Sequence, residues 1–539
     1  MSPVAAPGRR WQAGLVSMAI GCLAATLAGC GSAADASGNA PVPPAAVHAG
    51  GAAVPSWEWP TYAHDAQHTG HGQTLLTAKT VKTLSVAWSF PTGDAVTATP
   101  TVVGGTVYVG SWDGWFYAVD LETGVLRWKY QLQAQDAVTP YPGEVPRDMT
   151  SDGGLVTSSA WYESGAPHVS GDTGPSRPDL VIFGAGYTLY ALDAHTGHLF
   201  WMHDYTGRPG LPPDPNNDGT RIFSSPVVVA GSVLFGVDTD GQKNSRGYAV
   251  SASLATGDPI WEYQDDVDTS GHILDNGCGN IWSSGTVLPA AGLVVFDSAD
   301  CAFADPPPTS ESVFALHLAT GKLAWRYRPR RAATECDLDF GGTPNAGITA
   351  GGEATFLGAG SKDGTYYSLD PVTGRLRWST NVVFGGFSGG FVATAAYDGN
   401  FVYGSTALGD AGRFERGSQV HCDPGNPKDT TTEEPSVHAF EAGNGRVRWQ
   451  ASRAGSFAAT TVAGGMTFNC PAFGAVVQVR SAGSGSLVDQ APIPASCWSG
   501  IATVGDSLVL GIGSTYQGSP AGIVVLTPGG KRPVVPASR

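Results

Sequence analysis

The sequence predicts an all-β chain folded as an eight-bladed β-propeller of four-stranded antiparallel blades with tryptophan docking motifs. Three observations predict it. First, a strand–turn–strand unit, YAVDLETGVLRW at residues 117–128, returns as YALDAHTGHLFW, VSASLATGDPIW, FALHLATGKLAW, YSLDPVTGRLRW and HAFEAGNGRVRW, ending at Trp201, Trp261, Trp325, Trp378 and Trp449. Second, in every copy the turn glycine stands four residues before the tryptophan, and the residue before that glycine is threonine in all but the last, which has Asn444. Third, the flanking runs, such as TVYVG and WFYAVD, alternate with period two, the pattern of a strand. A large wedge at one fixed phase fills the gap between neighbouring sheets, and a ring of sheets leaves only protected edges.

The chain divides in order. In residues 1–30, Arg9-Arg10 precede an apolar run through Leu15, Met18, Ile20, Leu23 and Leu27, followed by Leu27-Ala28-Gly29-Cys30. This resembles a bacterial lipoprotein signal peptide with its lipobox, and the resemblance implies cleavage and lipidation at Cys30, hence an exported chain lipid-anchored to the cell envelope. Residues 31–55, rich in Ala, Gly, Pro and Ser, read as a flexible tether. Residues 56–530 read as a single propeller and 531–539 as a C-terminal tail. The opening WEWPTYAHDAQHTGHG, residues 57–72, reads as a strand packed on the propeller; the alternative, a metal site of His64, His68 and His71, lacks helical apolar spacing. LSVAWSF, residues 84–90, reads as a strand carrying its own Trp88, in a blade completed by the C-terminus. First strands of blades recur in TPTVVGGTVYVGS, SPVVVAGSVLFG, GTVLPAAGLVVFDS and TAAYDGNFVYGS. Past Trp449 a degenerate copy follows, then a partial unit, SGIATVGDSLVLGIGS with GIVVLT. Six full copies, one degenerate and one split between the two ends make eight. The tryptophans are 73, 60, 64, 53 and 71 residues apart, and the surplus lies in long loops that can crowd one end of the ring.

Composition excludes some functions. The formal charge is −16 with no run of Lys or Arg, so a nucleic-acid partner is not expected. No H-E-x-x-H pair and no phosphate-binding Gly-Lys-Ser/Thr loop occurs, and without C-x-x-C-H the chain attaches no c-type haem of its own. Beyond the leader stand Cys278, Cys301, Cys336, Cys422, Cys470 and Cys497, an even set that suggests disulfides in an exported protein; the sequence neighbours Cys278–Cys301 and Cys470–Cys497 are the expected pairs. PDPNNDGT carries Asp214, Asn216 and Asp218 in the D-x-N-x-D-G spacing of half a calcium loop, but Ser225 stands where a closing acid belongs, which leaves a polar turn as the other reading.

The A-x-D-x-x-T-G-x-x-x-W signature resembles the blade motif of the pyrroloquinoline quinone (PQQ) enzymes, the quinoprotein alcohol dehydrogenases. The same repeat builds non-enzymatic relatives, including the lipoprotein that assists outer-membrane barrel assembly. The nearest likeness is to polyvinyl-alcohol dehydrogenase-type proteins, through WPTYAHD, VGSWDGWFYAVD, DLDFGGTPN and CWSGIATVGDSLVLGIGS. The resemblance implies roles for particular residues. Trp282, in GNIWSSGTVLPAAGLVVFDSAD and outside the phase of the docking tryptophans, would lie under the quinone ring. Asp300 stands where the family has a calcium-holding asparagine, and Asp238 or Asp240, in GVDTDGQKNSRGY, would supply an acidic ligand. Asp339 matches the catalytic base, and Asp337 shares its face if the segment is extended. Lys362, in SKDGTYYSLD, would contact the quinone oxygens, although Lys-Asp-Gly is also an ordinary hairpin turn. The adjacent cysteines of the classical enzymes and the haem domain of the fused subclass are absent.

The resemblance implies a PQQ- and calcium-dependent enzyme oxidising an alcohol, polymeric or secondary, and passing electrons to an external acceptor such as a cytochrome. The rival reading is a non-catalytic propeller serving as a binding or envelope-assembly scaffold, because the blade motif specifies fold and not function.

Overall fold

The computed structural model describes residues 57–132, 156–165, 177–205, 221–239, 245–265, 267, 270, 272–274, 278–299, 309–329, 338–383, 385, 389–407, 434–513 and 520–536. Eight antiparallel sheets follow one another in chain order. Blade 1 comprises Thr101–Val103, Thr106–Gly110, Trp115–Asp120 and Leu126–Gln131. Blades 2 to 7 begin at the inner strands Trp161–Glu163, Val227–Val229, Thr286–Leu288, Asn345–Ile348, Ala396–Tyr397 and Thr461–Ala463. Blade 8 joins Ala502–Val504, Ser507–Ile512 and Gly522–Pro528 to the early strand Leu84–Pro91, which supplies its outer edge. The ring is therefore closed by pairing residues from the two ends of the chain, as the split repeat predicts.

The repeat works between blades rather than within one. The glycine of each signature turn adopts a left-handed φ, as at Gly374 (φ +67°), where an Asp370 carboxylate accepts bonds from Thr373 N–H and Oγ1, both at 2.9 Å. Onto that bare turn lies the indole of the preceding blade: a Cβ on Gly374 would sit 2.3 Å from Trp325 Cε3. Beside it the same indole N–H donates to a carbonyl of the next blade, Trp325 to Pro371 O at 3.2 Å, Trp128 to Ala194 O at 3.0 Å and Trp449 to Ala482 O at 2.7 Å. Trp88, Trp201, Trp261 and Trp378 dock the same way, on Gly124, Gly257, Gly321 and Gly445. The junction between blades 7 and 8 has an apolar cluster instead, in which Val81 and Leu84 pack with Ile493, Leu508 and Leu526.

A second tie runs round the axis. Just before the inner strands of blades 2 to 6 stands a hydroxyl residue that accepts the backbone N–H of the preceding blade: Ser159 from Thr99 at 2.9 Å, Ser225 from Ser159 at 3.0 Å, Ser284 from Ser225 at 2.9 Å, Thr343 from Ser284 at 3.0 Å, and Thr394 from Thr343 at 3.0 Å. Gly500 N–H closes back on Thr99 Oγ1 at 3.1 Å.

The opening segment differs from the expectation of a strand packed on the propeller. Only His71–Gly72 is a strand, parallel to the inner strand of blade 7. The rest is a strap inside the channel, satisfying backbone groups of the inner strands in turn: Val102 N–H donates to Trp59 O (2.7 Å), Tyr162 to Pro60 O, Val287 to Ala66 O, Ala346 to Gln67 O, Tyr397 to Thr69 O and Val462 to Gly70 O. Its Tyr62 hydroxyl donates to Thr394 Oγ1 at 2.9 Å. Inner strands so short leave edge groups facing the axis, and the strap completes them. His68 is buried against Thr286, and burial pulls its pKa down to about 4 against the opposing pull of Asp65. Among the described residues no three acid, histidine or cysteine side chains could hold a metal ion.

Cys470 and Cys497 are joined, with their Cα atoms 5.6 Å apart. Cys278 is also disulfide-bonded, to a cysteine outside the described residues. Asp214, Asn216, Asp218 and Cys30 lie outside the described residues too. No helix among the described residues is long and apolar enough to cross a membrane.

Two outcomes follow from this packing. Gly374→Ala should lower the unfolding midpoint well beyond Gly105→Ala, whose φ is equally positive (+68°) but whose Cβ would meet nothing nearer than Arg127 Nη2 at 3.9 Å. Left-handed strain costs about 1–2 kcal/mol in both, and displacing the indole adds about 1–3 kcal/mol at Gly374 alone; equal midpoints in chemical unfolding would refute the docking role. The second concerns His438, buried between blades 5 and 6, where Nδ1 accepts from Gln450 Nε2 at 2.9 Å and Nε2 lies 3.3 Å from Thr406 Oγ1. Burial lowers its pKa to about 3. A depressed histidine contributes stability that is complete above the unfolded pKa of about 6.5 and is lost as pH falls below it, by on the order of 2–3 kcal/mol at pH 4.5. His438→Gln should flatten the stability profile between pH 7.5 and 4.5, which unfolding titrations at the two values measure.

Candidate functional site

The segments leading into the inner strands share a phase. Counting back from the axial Ser or Thr, the third residue is an apolar knob filling a glycine hole in the preceding blade. Val96 meets Gly511, Val156 meets Gly110, Ile222 meets Gly184, Ile281 meets Gly236 and Phe391 meets Gly360, each so close that a glycine Cβ would lie 2.1–2.5 Å from the neighbour. The second and fourth residues in this count flank that knob. Trp282 is two residues before Ser284, and Asp339 is four before Thr343.

Lys362 reaches the same place from the turn between the second and third strands of blade 5. Its backbone N–H donates to Asp339 O at 2.8 Å, and Ser361 Oγ donates to Leu338 O and Asp339 O at 3.0 and 2.9 Å, which pins the turn to the segment carrying the acid. Gly390, with φ +59°, crosses so close that a Cβ would lie 2.4 Å from Lys362 O. The result is a buried ion pair: Lys362 Nζ stands 3.1 Å from Asp339 Oδ1, with the side chains only 10% and 2% exposed. The same ammonium lies 5.1 Å from the ring centroid of the half-buried Trp282, within cation–π range. Three residues from two blades, separated by 57 and 23 positions in the chain, thus meet at one end of the ring.

The other expected residues divide. Asp238 is buried in blade 3, where it exchanges backbone hydrogen bonds with Arg221 at 2.7 and 2.9 Å; the ion pair of Lys362 is with Asp339. Asp240, Asp300 and Asp337 lie outside the described residues. Sequence reasoning passed over Asn280, four residues before Ser284, whose Oδ1 accepts from Thr239 N–H (3.0 Å) and Oγ1 (2.8 Å) and ties blade 3 to the Trp282 segment. It also passed over Arg221, four before Ser225, and Trp498, two before Gly500 and so in the phase of Trp282 four blades away. The signal that finds them is the offset from the axial hydroxyl, which repeats as faithfully as the tryptophans do. Asp297, at the end of the second strand of blade 4, is fully buried beside Ser283, and burial raises its pKa well above the usual carboxylate range.

Residues 59–384, more than half of the chain, match the family model described as glucose/ethanol/alcohol dehydrogenase, beta-propeller domain (PQQ). The polyvinylalcohol dehydrogenase of a Pseudomonas species is 24% identical over 358 residues, 61% of this chain and 51% of the relative. That of a Sphingopyxis species is 23% identical over 408 residues, 68% of this chain and 54% of the relative. The chain therefore spans about half the length of these curated relatives. Among solved structures, the quinohemoprotein alcohol dehydrogenase from Comamonas testosteroni superposes with a TM-score of 0.67 at 19% identity, covering 90% of this chain and 82% of that one. BamB from Moraxella catarrhalis gives 0.50 at 14%, covering 82% and 99%. At these identities the structural likeness speaks for the fold.

The ion pair makes its own prediction. Lys362→Met leaves a carboxylate buried without its cation and should cost about 3–5 kcal/mol. Lys362→Met with Asp339→Asn should cost less than the single change. Unfolding of the two variants in denaturant checks this, and a double variant as unstable as the sum of the singles would show the two groups to be uncoupled.

Proposed function

This chain belongs to the PQQ β-propeller family of glucose, ethanol and alcohol dehydrogenases, and from that premise we propose that it is a quinoprotein dehydrogenase that oxidises an alcohol. The observation that carries the reading is the meeting of Trp282, Lys362 and Asp339 at one end of the ring. A scaffold has no need of an ion pair sunk beside a half-buried indole, since removing charges from water is costly. The residues fit the cofactor: a flat indole face offers stacking to a planar quinone, and a buried ammonium beside it suits an electron-rich, anionic one.

When bound, the quinone supplies the acceptor for the hydride that leaves the alcohol carbon. The rest falls to the chain. Trp282 orients by stacking. Asp339 takes the hydroxyl proton as general base, so that one proton and one hydride leave the alcohol together and a carbonyl product forms. Lys362 holds the Asp339 carboxylate toward the indole and places positive charge where the quinone oxygens come to lie. Calcium belongs to the same proposal through the family resemblance, with Asp238, Asp240 and Asp300 as the residues named for it, and no step above depends on it. An external acceptor such as a cytochrome, a polymeric or secondary alcohol as substrate, and export with a lipid anchor at Cys30 complete the proposal.

The test is reconstitution. Purified protein mixed with PQQ and calcium should keep quinone absorbance through gel filtration and reduce a dye when given alcohols. Asp339→Asn should retain the quinone while turnover falls about 10²–10⁴-fold. Protein that retains no quinone would leave the scaffold reading standing instead.

A further inference from the structure

We propose that the Cys470–Cys497 disulfide is a redox-dependent bolt of the ring: oxidised, it fastens blades 7 and 8 at the junction that has no docking tryptophan, and reduced, it lets that seam open before the others. This goes beyond the dehydrogenase reading and does not depend on it.

In the six signature hairpins the turn glycine is followed four residues later by the tryptophan that docks on the next blade, as Gly374 is by Trp378. In blade 7 the turn glycine, Gly485, still receives Trp449, but four residues later stands Asp489, on the outer strand Leu487–Pro492. The second lock of the seams changes as well. Gly110, Gly184, Gly236, Gly360 and Gly511 each give a hole to the knob of the following blade. The second strand of blade 7, Met466–Asn469, ends instead in an asparagine, whose amide donates to Ser405 Oγ at 2.7 Å and to Thr460 Oγ1 at 2.9 Å. The place of the blade 8 knob, three residues before Gly500, is held by Cys497, and its sulfur is bonded to that of Cys470, the residue after Asn469.

Two fastenings that seams elsewhere make by packing are thus replaced here by a covalent bond. Both cysteines are fully buried, in the apolar cluster they share with Val81, Leu84, Leu508 and Leu526. Beside them Trp498 Nε1 donates to Ala472 O at 2.8 Å, so the disulfide and this bond tie the same blade 8 segment to blade 7. A cross-link between residues 27 positions apart removes many of the open states into which the seam would otherwise part. Burial leaves neither sulfur reachable in the closed ring, so the bond forms while the seam is open. Two thiols then lose two electrons and two protons to a small-molecule or protein disulfide, which leaves as two thiols, and a dithiol reverses the exchange. Such a bolt is made in an oxidising compartment and stays unmade among reducing thiols.

Hydrogen exchange of the full chain, read by mass spectrometry, tests this in wild type and in the double variant Cys470→Ala, Cys497→Ala, with circular dichroism confirming the fold of each. Loss of the disulfide should speed exchange at the seam, in Met466–Asn469 and Ser507–Ile512, by about 30- to 1000-fold. Ala354–Gly360 and Thr365–Leu369 of blade 5, which lies between docked indoles, should exchange as in wild type. An unchanged seam would overturn the proposal, because the bond would then be dispensable. A rise of equal size in blades 5, 7 and 8 would overturn it too, because the bond would then stabilise the ring as a whole and not this junction. If the double variant does not fold, wild type held in a dithiol decides the matter. Alkylation should find Cys470 and Cys497 blocked before treatment and open after it, together with faster exchange at the seam. A seam that stays protected in the dithiol refutes the bolt, whether or not the thiols label.

Discussion

An indole laid on the bare glycine turn of the next blade is the contact on which this molecule depends. It draws on three things at once: a glycine that tolerates a left-handed φ, side chains that brace the turn, and a carbonyl aimed at the indole N–H. Gly374, Asp370, Thr373 and Pro371 supply them for Trp325. Each contact sets the distance and angle between two sheets, and a sequence of equal steps closes into a ring. Where the indole is missing, between blades 7 and 8, closure rests on chain ends paired along Leu84–Pro91 and Gly522–Pro528 and on an apolar cluster. That junction joins residues more than four hundred positions apart, which makes it the contact of largest sequence separation in the ring and so the most costly in loop closure.

The ring explains why the candidate site can be polar and buried. Glycine holes at Gly184, Gly236 and Gly360 accept Ile222, Ile281 and Phe391, and this knob-in-hole register locks the segments that carry Trp282 and its neighbours. The cost of burying Lys362 and Asp339 is thus carried by packing elsewhere, in contacts that do not involve either charge. The strap contributes by satisfying backbone groups of the inner strands round the axis.

Much of this was legible. The hairpin, the eight blades and the split closing blade could be read because a turn and its wedge recur within a dozen residues, and Cys470–Cys497 because its partners are close in the chain. The axial hydroxyl ring was not read, although Ser159, Ser225, Ser284 and Thr343 open their strands in plain view; their partners lie some sixty residues away, where no local pattern reveals them. The strap was misread as a strand because its bonds are made by backbone groups, which leave no signature in side chains. Trp282, Asp339 and Lys362 were found by resemblance to a family, because they come from segments far apart in the chain and no local pattern shows that they meet.

Charge sets the other constraint on this end of the ring. A chain of net charge −16 has every means of pairing a buried cation, and it does so for Arg326 and for Lys362. Among the described residues of blades 3 to 5 that share the phase of Asp339, Asn280 is tied to a neighbouring blade and Asp339 to a lysine, while Arg221 Nη1 is buried without a hydrogen-bond partner. Unpaired buried charge is tolerated in folded proteins where something outside the fold completes it.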